Sequence, residues 1–198
     1  MSKQTILATS LNIFAHFGIK SVSMSQIAGS IRISKRTLYT YFSSKEELLC
    51  ECMDYERENI SAMLEDIEKQ TRNPVEKVVQ STIKICRYRS SFCPLFYKDM
   101  IHFCDANARL EAIYESIRKR FAAYFKEGAK EGLFRSECNY DVITQVLMEQ
   151  IVLQSRIGLS HRDSVFYTFL RGLCTNKGIT VLKKLIPAEE DIYDYEFR

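Results

Sequence analysis

Apolar residues recur every three or four positions along almost the whole 198-residue chain, and nowhere do they alternate with the two-residue period of a half-buried strand. Ile6, Leu7, Leu11, Phe14 and Phe17 predict a first helix over residues 3–17, stopped by Gly18. Two short helices follow, over 24–31 and 35–42. Ser23 with Gln26 has capping-box spacing ahead of the first, and Ser34 can cap the second. Only Arg32 and Ile33 separate the first of these helices from the next cap, which is helix-turn-helix spacing. Ser44 with Glu47 forms another capping box and opens a long helix to about residue 69, carrying Leu48, Leu49, Met53, Ile60, Met63 and Ile67.

Further along, Asn73-Pro74 combines an Asn cap with Pro in the first helical position, and Val75, Val78, Val79, Ile83, Cys86 and Tyr88 follow on a fifth helix. Pro94 opens a short sixth helix over 95–103, and Asp105 is the expected cap of a seventh. Its stripe runs from Leu110 through Ile117 to Phe125, with Gly128 and Gly132 as stops. Asn139 or Asp141 starts an eighth helix and Asp163 a ninth, both apolar over more than one narrow stripe. The acidic, aromatic segment 187–198 is read as a loosely docked end. The expected architecture is all-α with about nine to ten helices: a helix-turn-helix head over 1–48 and a helical bundle body over 49–198.

The head carries the clearest chemistry. Ile27, Ile31, Ile33, Leu38 and Phe42 can all face inward, leaving Lys35, Arg36, Thr37, Tyr39, Thr40 and Tyr41 outward. Lys and Arg can meet guanine edges or phosphates, Thr a thymine methyl, and Tyr hydroxyls phosphates, so this face suits a DNA major groove. Ser23, Ser25, Ser34 and Lys45 are assigned to phosphates. A merely solvated polar face is the competing reading, but caps, turn and charge all favour DNA. Residues 1–49 hold six Lys/Arg and only two acids, whereas the remainder holds 22 and 23, so the net +3 is wholly N-terminal.

The series Ile6, Leu7, Leu11, Phe14, Gly18, Ser23, Ile27-Ala28, Ser34, Thr37-Leu38-Tyr39, Tyr41-Phe42 and Lys45-Glu46 with Leu48 resembles the TetR family of bacterial transcription regulators over about the first quarter of the chain. Two departures stand out: Arg32 where the family usually has Gly, and Arg36 where a small residue or Pro is frequent. The resemblance implies a ligand-responsive repressor, released from a palindromic operator by an unidentified small molecule. It also implies that helices eight and nine form a homodimer interface; Val142, Val146, Ile151, Phe166, Phe169, Leu170 and Leu173 are the candidates, with burial inside one protomer as the competing reading. It places an effector pocket among Tyr88, Phe92, Phe96, Tyr97, Met100, Phe103, Tyr114 and Phe121, although aromatics also fill cores. Lys98, Arg87 or Arg89 could fix an acidic effector, and surface exposure would explain each equally well.

Other classes find less support. There is no Gly-rich phosphate loop, HExxH or G-x-S-x-G, so no enzyme is expected. The seven cysteines contain no C-x-x-C and the three histidines lack metal-ligand spacing, so neither metal nor cofactor is expected. Thiol-based redox sensing through Cys93 or Cys104, and a helical protein-interaction scaffold, are the alternatives. A composition 46% hydrophobic and 27% charged, no membrane-length apolar run, and a polar MSKQT start without a secretory core lead to the expectation of a cytoplasmic protein that does not enter membranes.

Overall fold

The computed structural model describes residues 2–157 and 162–185, with the backbone alone for 150–157 and 162–165. Ten helices account for nearly all of it: α1 (Lys3–Phe17), α2 (Met24–Ile31), α3 (Lys35–Tyr41), α4 (Lys45–Gln70), α5 (Pro74–Arg89), α6 (Pro94–Met100), α7 (Cys104–Lys130), α8 (Tyr140–Ile157), α9 (Arg162–Leu173) and α10 (Asn176–Leu185). Among the described residues the one β feature is an isolated bridge between Phe134 and Cys174. Segment 187–198 lies outside the described residues.

The expected caps form. The Ser23 hydroxyl accepts the Gln26 N–H while the Gln26 side chain accepts the Ser23 N–H at 2.8 Å, which closes the capping box. Ser34 caps α3 and Ser44 caps α4 by accepting the Thr37 and Glu47 N–H groups, but the Glu47 carboxylate accepts from Ser43 rather than from the Ser44 N–H, so the second expected capping box does not close. The Asn73 side chain accepts the N–H groups of Val75 and Glu76 ahead of Pro74. Two boundaries move. The sixth helix ends at Met100, and α7 opens at Cys104 without a side-chain cap, so Asp105 lies inside its first turn, where a carboxylate still favours the helix dipole. Gly128 does not end α7 but lies within it: a Cβ there would come 2.4 Å from the Phe134 ring, so the glycine admits that ring against the helix. Gly132, at φ +71°, makes the turn instead.

Packing produces two apolar cores that share long helices. The first joins the head to the body: Phe14, Ile27, Leu38, Phe42 and Leu49 pack with Phe96 and Met100 of α6 and with Leu110 of α7. The second gathers Ile67, Val78, Phe121, Phe125, Phe134 and Leu182 from α4, α5, α7, the α7–α8 link and α10. Helix α4 passes unbroken through residue 48 and contributes to both cores. Near the α7–α8 link the chain is stitched by backbone: Arg135 N–H donates to Leu173 and Thr175 N–H to Leu133, both at 2.9 Å. Gly178 of α10 sits so close that a Cβ would lie 2.1 Å from the Leu133 carbonyl oxygen.

Candidate nucleic-acid interface and a buried polar seam

Helices α2 and α3 present the expected two-sided pattern. Leu38 and Phe42 are fully buried, whereas Lys35, Arg36, Thr37, Tyr39, Thr40 and Tyr41 are exposed. Lys35 Nζ sits 5.8 Å above the Tyr39 ring, a loose cation–π contact that leaves the ammonium at the surface. Several hydroxyls also hold the protein's own backbone: Thr40 donates to the Thr37 carbonyl at 2.6 Å, and the Ser34 and Thr37 hydroxyls share a 2.8 Å bond. Ser23 donates to Gln26 at 2.8 Å, and Ser25 is exposed beside it.

The turn between the two helices is made by Arg32 at φ 60°, ψ 41°. Its N–H groups with the Ala28 and Gly29 carbonyls, and Ile33 N–H reaches Ala28 at 3.0 Å, so the left-handed residue completes the helix end as a glycine would.

Lys45 is placed otherwise than expected. Its ammonium turns inward and donates to the Ile19 and Val22 carbonyls, each at 2.7 Å, using two of its three N–H groups. Burial lowers its pKa, partly offset by the nearby Asp99 carboxylate. The Asp99 carboxylate also accepts the Lys20 N–H at 2.7 Å, and Cys93 N–H donates to the Ala15 carbonyl at 2.7 Å. Lys45 therefore clamps the α1–α2 loop to α4, and α6 is bonded to that same loop.

Where the two cores meet, four polar side chains are drawn inward from α4, α5 and α7. Glu56 is 4% exposed and accepts a hydrogen bond from the Tyr88 hydroxyl. Arg89 is 5% exposed and donates to the Tyr114 hydroxyl. Its guanidinium carbon lies 4.8 Å from the Tyr97 ring centroid and 4.7 Å from that of Tyr114. Desolvated cation–π contacts contribute about 2 kcal/mol each, enough to offset part of the cost of taking the cation out of water. Burial raises the Glu56 carboxyl to about 7, opposed by Tyr88 and Arg89.

Most of the aromatic set expected around an effector is brought together here. Tyr88, Phe92, Phe96 and Tyr97 form a chain of ring contacts, with Met100, Phe103 and Tyr114 in the same core. Phe121 is not among them: two turns past Tyr114 on α7, it packs in the second core beside Tyr124, at 6.0 Å between centroids. Of the three candidate cations, Arg87 and Lys98 are exposed, and exposure does not account for Arg89. Glu56 went unremarked in the sequence, where it is one acid among several on α4; its burial follows from where α5 and α7 cross that helix.

Among the interface candidates, Val142 and Val146 of α8 are 57% and 44% exposed, while Phe166 and Phe169 are half-buried. Leu170 and Leu173 are buried in their own protomer's second core, which removes them from the interface candidates. The side chain of Ile151 lies outside the described residues. Burial pushes the thiols of Cys50, Cys52 and Cys174 up, away from the reactive thiolate, while Cys93 is half-buried and Cys104 exposed. Among the described residues no His, Cys, Asp and Glu side chains converge as a metal site, and no helix is long and apolar enough to cross a membrane.

A capped helix pair with a cationic, hydroxyl-rich outer face on a helical body defines a DNA-binding regulator of the helix-turn-helix class. Residues 6–52 match the family model for "Bacterial regulatory proteins, tetR family". The HTH-type transcriptional repressor KstR2 of Mycobacterium tuberculosis is 23% identical over 150 residues, 73% of this chain and 74% of that protein. Its solved structure superposes with a TM-score of 0.64, covering 88% of this chain and 96% of that one, at 21% identity. A TetR-family regulator from Agrobacterium tumefaciens gives a TM-score of 0.72 at 16% identity, over 86% and 96% of the two chains. RolR in complex with resorcinol gives 0.59 at 19% identity, over 92% and 91%. The head of the chain is thus similar to the tetR family of bacterial regulatory proteins, and the whole chain shares its fold with regulators of that family.

Proposed function

We propose that the protein is a transcriptional repressor that binds an inverted-repeat operator as a homodimer and is released by a small molecule. The observation that carries the DNA-binding part is the α3 face: Lys35, Arg36, Thr37, Tyr39, Thr40 and Tyr41 stand in water above a fully buried Leu38. Such a face can enter the major groove, with Lys35 and Arg36 against base edges or phosphates and the Tyr hydroxyls on the backbone. Ser23, Ser25 and Ser34 lie at or beside helix N-termini, where N–H groups and hydroxyls suit phosphate. Two-fold pairing through the α8–α9 side would space two heads for half-sites about 34 Å apart. The repressor role of KstR2 and the resorcinol complex of RolR support a ligand-released repressor.

A gel-shift assay with the DNA upstream of the protein's own gene tests this reading. Specific retardation is expected, weakening steeply with salt. The Arg36→Ala variant should lose about 1–3 kcal/mol and relax preference at one base pair. Equal weakening on every sequence would remove Arg36 from base reading, and no retardation at low salt would overturn the function.

A further inference from the structure

Resting on the DNA-binding reading of the head, we propose that Arg32, which lies outside the α3 face, is a further contact to DNA: its guanidinium grips a backbone phosphate at the edge of the groove that α3 enters.

Arg32 is the one residue other than glycine with a positive φ among the described residues. The turn it makes does not need its side chain. Its N–H groups with the Ala28 and Gly29 carbonyls and the Ile33 N–H donates to Ala28, so backbone alone closes the end of α2. A Cβ in the left-handed region costs stability that glycine would keep. A cation required only for solubility could stand at exposed Ser30, two residues earlier, without that cost. Strain held where the local structure does not demand it points to a role for what the residue carries, and Arg32 carries a charged fork.

The surroundings fit a phosphate. The Arg32 side chain is exposed and, among the described residues, has no hydrogen bond or ion pair. No Asp or Glu precedes Glu46 in the sequence, so none of the first 45 residues can neutralise it. The turn is also open: a Cβ on Gly29 would meet nothing within 4 Å, and Ser30 is exposed. Of the head's six cations, Lys3 lies 2.8 Å from the Glu51 carboxylate and Lys45 is turned onto backbone carbonyls. Lys20, Arg32, Lys35 and Arg36 remain, the last three within five positions at the turn and the start of α3. Arg32 is at most about 7 Å, Cα to Cα, from Ser34, the residue that opens α3. With α3 in the major groove, the turn before it lies toward the groove's edge, where the phosphates run. A planar guanidinium meets a phosphate through two parallel N–H···O bonds, which an ammonium does not.

Two variants separate the charge from the turn. Arg32→Gln keeps the Cβ and its strain, Arg32→Gly removes both, and neither carries the cation. Binding to the DNA upstream of the protein's own gene, and to an unrelated duplex of equal length, is followed by fluorescence anisotropy at several salt concentrations, alongside unfolding in urea. Both variants are expected to bind about tenfold more weakly per engaged head at about 0.1 M salt, by the same factor on both duplexes. Each should also flatten the logarithmic salt slope by about one per head. Their urea midpoints should part, with Arg32→Gly the more stable, so that affinity falls whichever way stability moves. Unchanged affinity in either variant, an unchanged slope, or a loss confined to one duplex would overturn the contact while leaving the DNA-binding function standing. Failure of the unaltered protein to bind either duplex would overturn both.

Discussion

Arg32 shows how a single residue can complete a turn at a cost. An L-residue with a Cβ in the left-handed region is disfavoured by about 1–2 kcal/mol relative to the right-handed form, whereas glycine is not. Since the N–H of residue 32 already closes the end of α2, Arg32→Gly should raise stability by about 0.5–1 kcal/mol, read as a higher midpoint in urea; an unchanged or lower midpoint would mean that the Arg side chain stabilises the turn. Glu56 makes the opposite kind of demand. Its folded carboxyl titrates near 7, above the ordinary range, so the folded protein holds a proton that the unfolded chain has released. That contribution is complete below about pH 4.5 and is lost as pH rises through 7, on the order of 3 kcal/mol. Glu56→Gln keeps an acceptor for Tyr88 and should therefore gain thermal stability over the unaltered protein at pH 8 but not at pH 4.5. A constant difference at both pH values would show that the carboxyl does not titrate with folding. Glu115, held down to about 2 by Arg118 at the surface, loses its contribution only in stronger acid and leaves that window clear. Neither the Glu56 proton nor the inward turn of Arg89 was legible in the sequence. Both depend on groups 25 to 32 positions away, brought in by α4, α5 and α7, whereas the turn at Arg32 was read from spacing alone.

The head was legible because each of its signals is local. A Ser whose hydroxyl accepts the amide N–H three residues on fixes a helix start within one turn, and three such starts, at Ser23, Ser34 and Ser44, were legible in the sequence and formed. Failures came where a side chain's partner is remote. Lys45 reads as one more cation on a basic surface, yet its partners are the carbonyls of Ile19 and Val22, more than twenty residues back. Gly128 reads as a helix stop because the Phe134 ring that requires it lies on another segment. The clamp makes a discriminating prediction for α4. Lys45→Met keeps the apolar stem and removes both bonds, so it should lower stability by about 1–3 kcal/mol. It should also weaken operator binding through a loosened α1–α2 loop while leaving the salt dependence unchanged. Lys35→Ala, on the exposed face of α3, should instead leave stability nearly untouched and flatten the logarithmic salt slope by about one. Thermal unfolding and binding titrations at several salt concentrations separate the two, and a flattened slope in Lys45→Met would return that ammonium to the phosphates.

Two half-sites on DNA need two heads held at a fixed distance, and α8 offers the surface that could hold them. Val142 and Val146 lie four apart on one helical face and are among the most exposed large apolar side chains in the described residues. Each leaves hydrocarbon in water that a two-fold partner would cover, and in such an interface the same patch meets its own copy. Leu170 and Leu173 are already committed to the protomer's own core, so substitutions there would unfold the body and say nothing about assembly. The informative change is Val142→Asp with Val146→Asp, which places two like charges per protomer opposite their symmetry mates without touching the core. Sedimentation should then report a monomer of unchanged helicity. A lone head retains its contacts to one half-site but loses the effective concentration that linkage provides, so affinity for the full inverted repeat should fall by about 10²–10⁴, while binding to an isolated half-site should change little. If the double variant remains a dimer with full operator affinity, the heads are joined through another surface, and the exposed valines belong to some other contact.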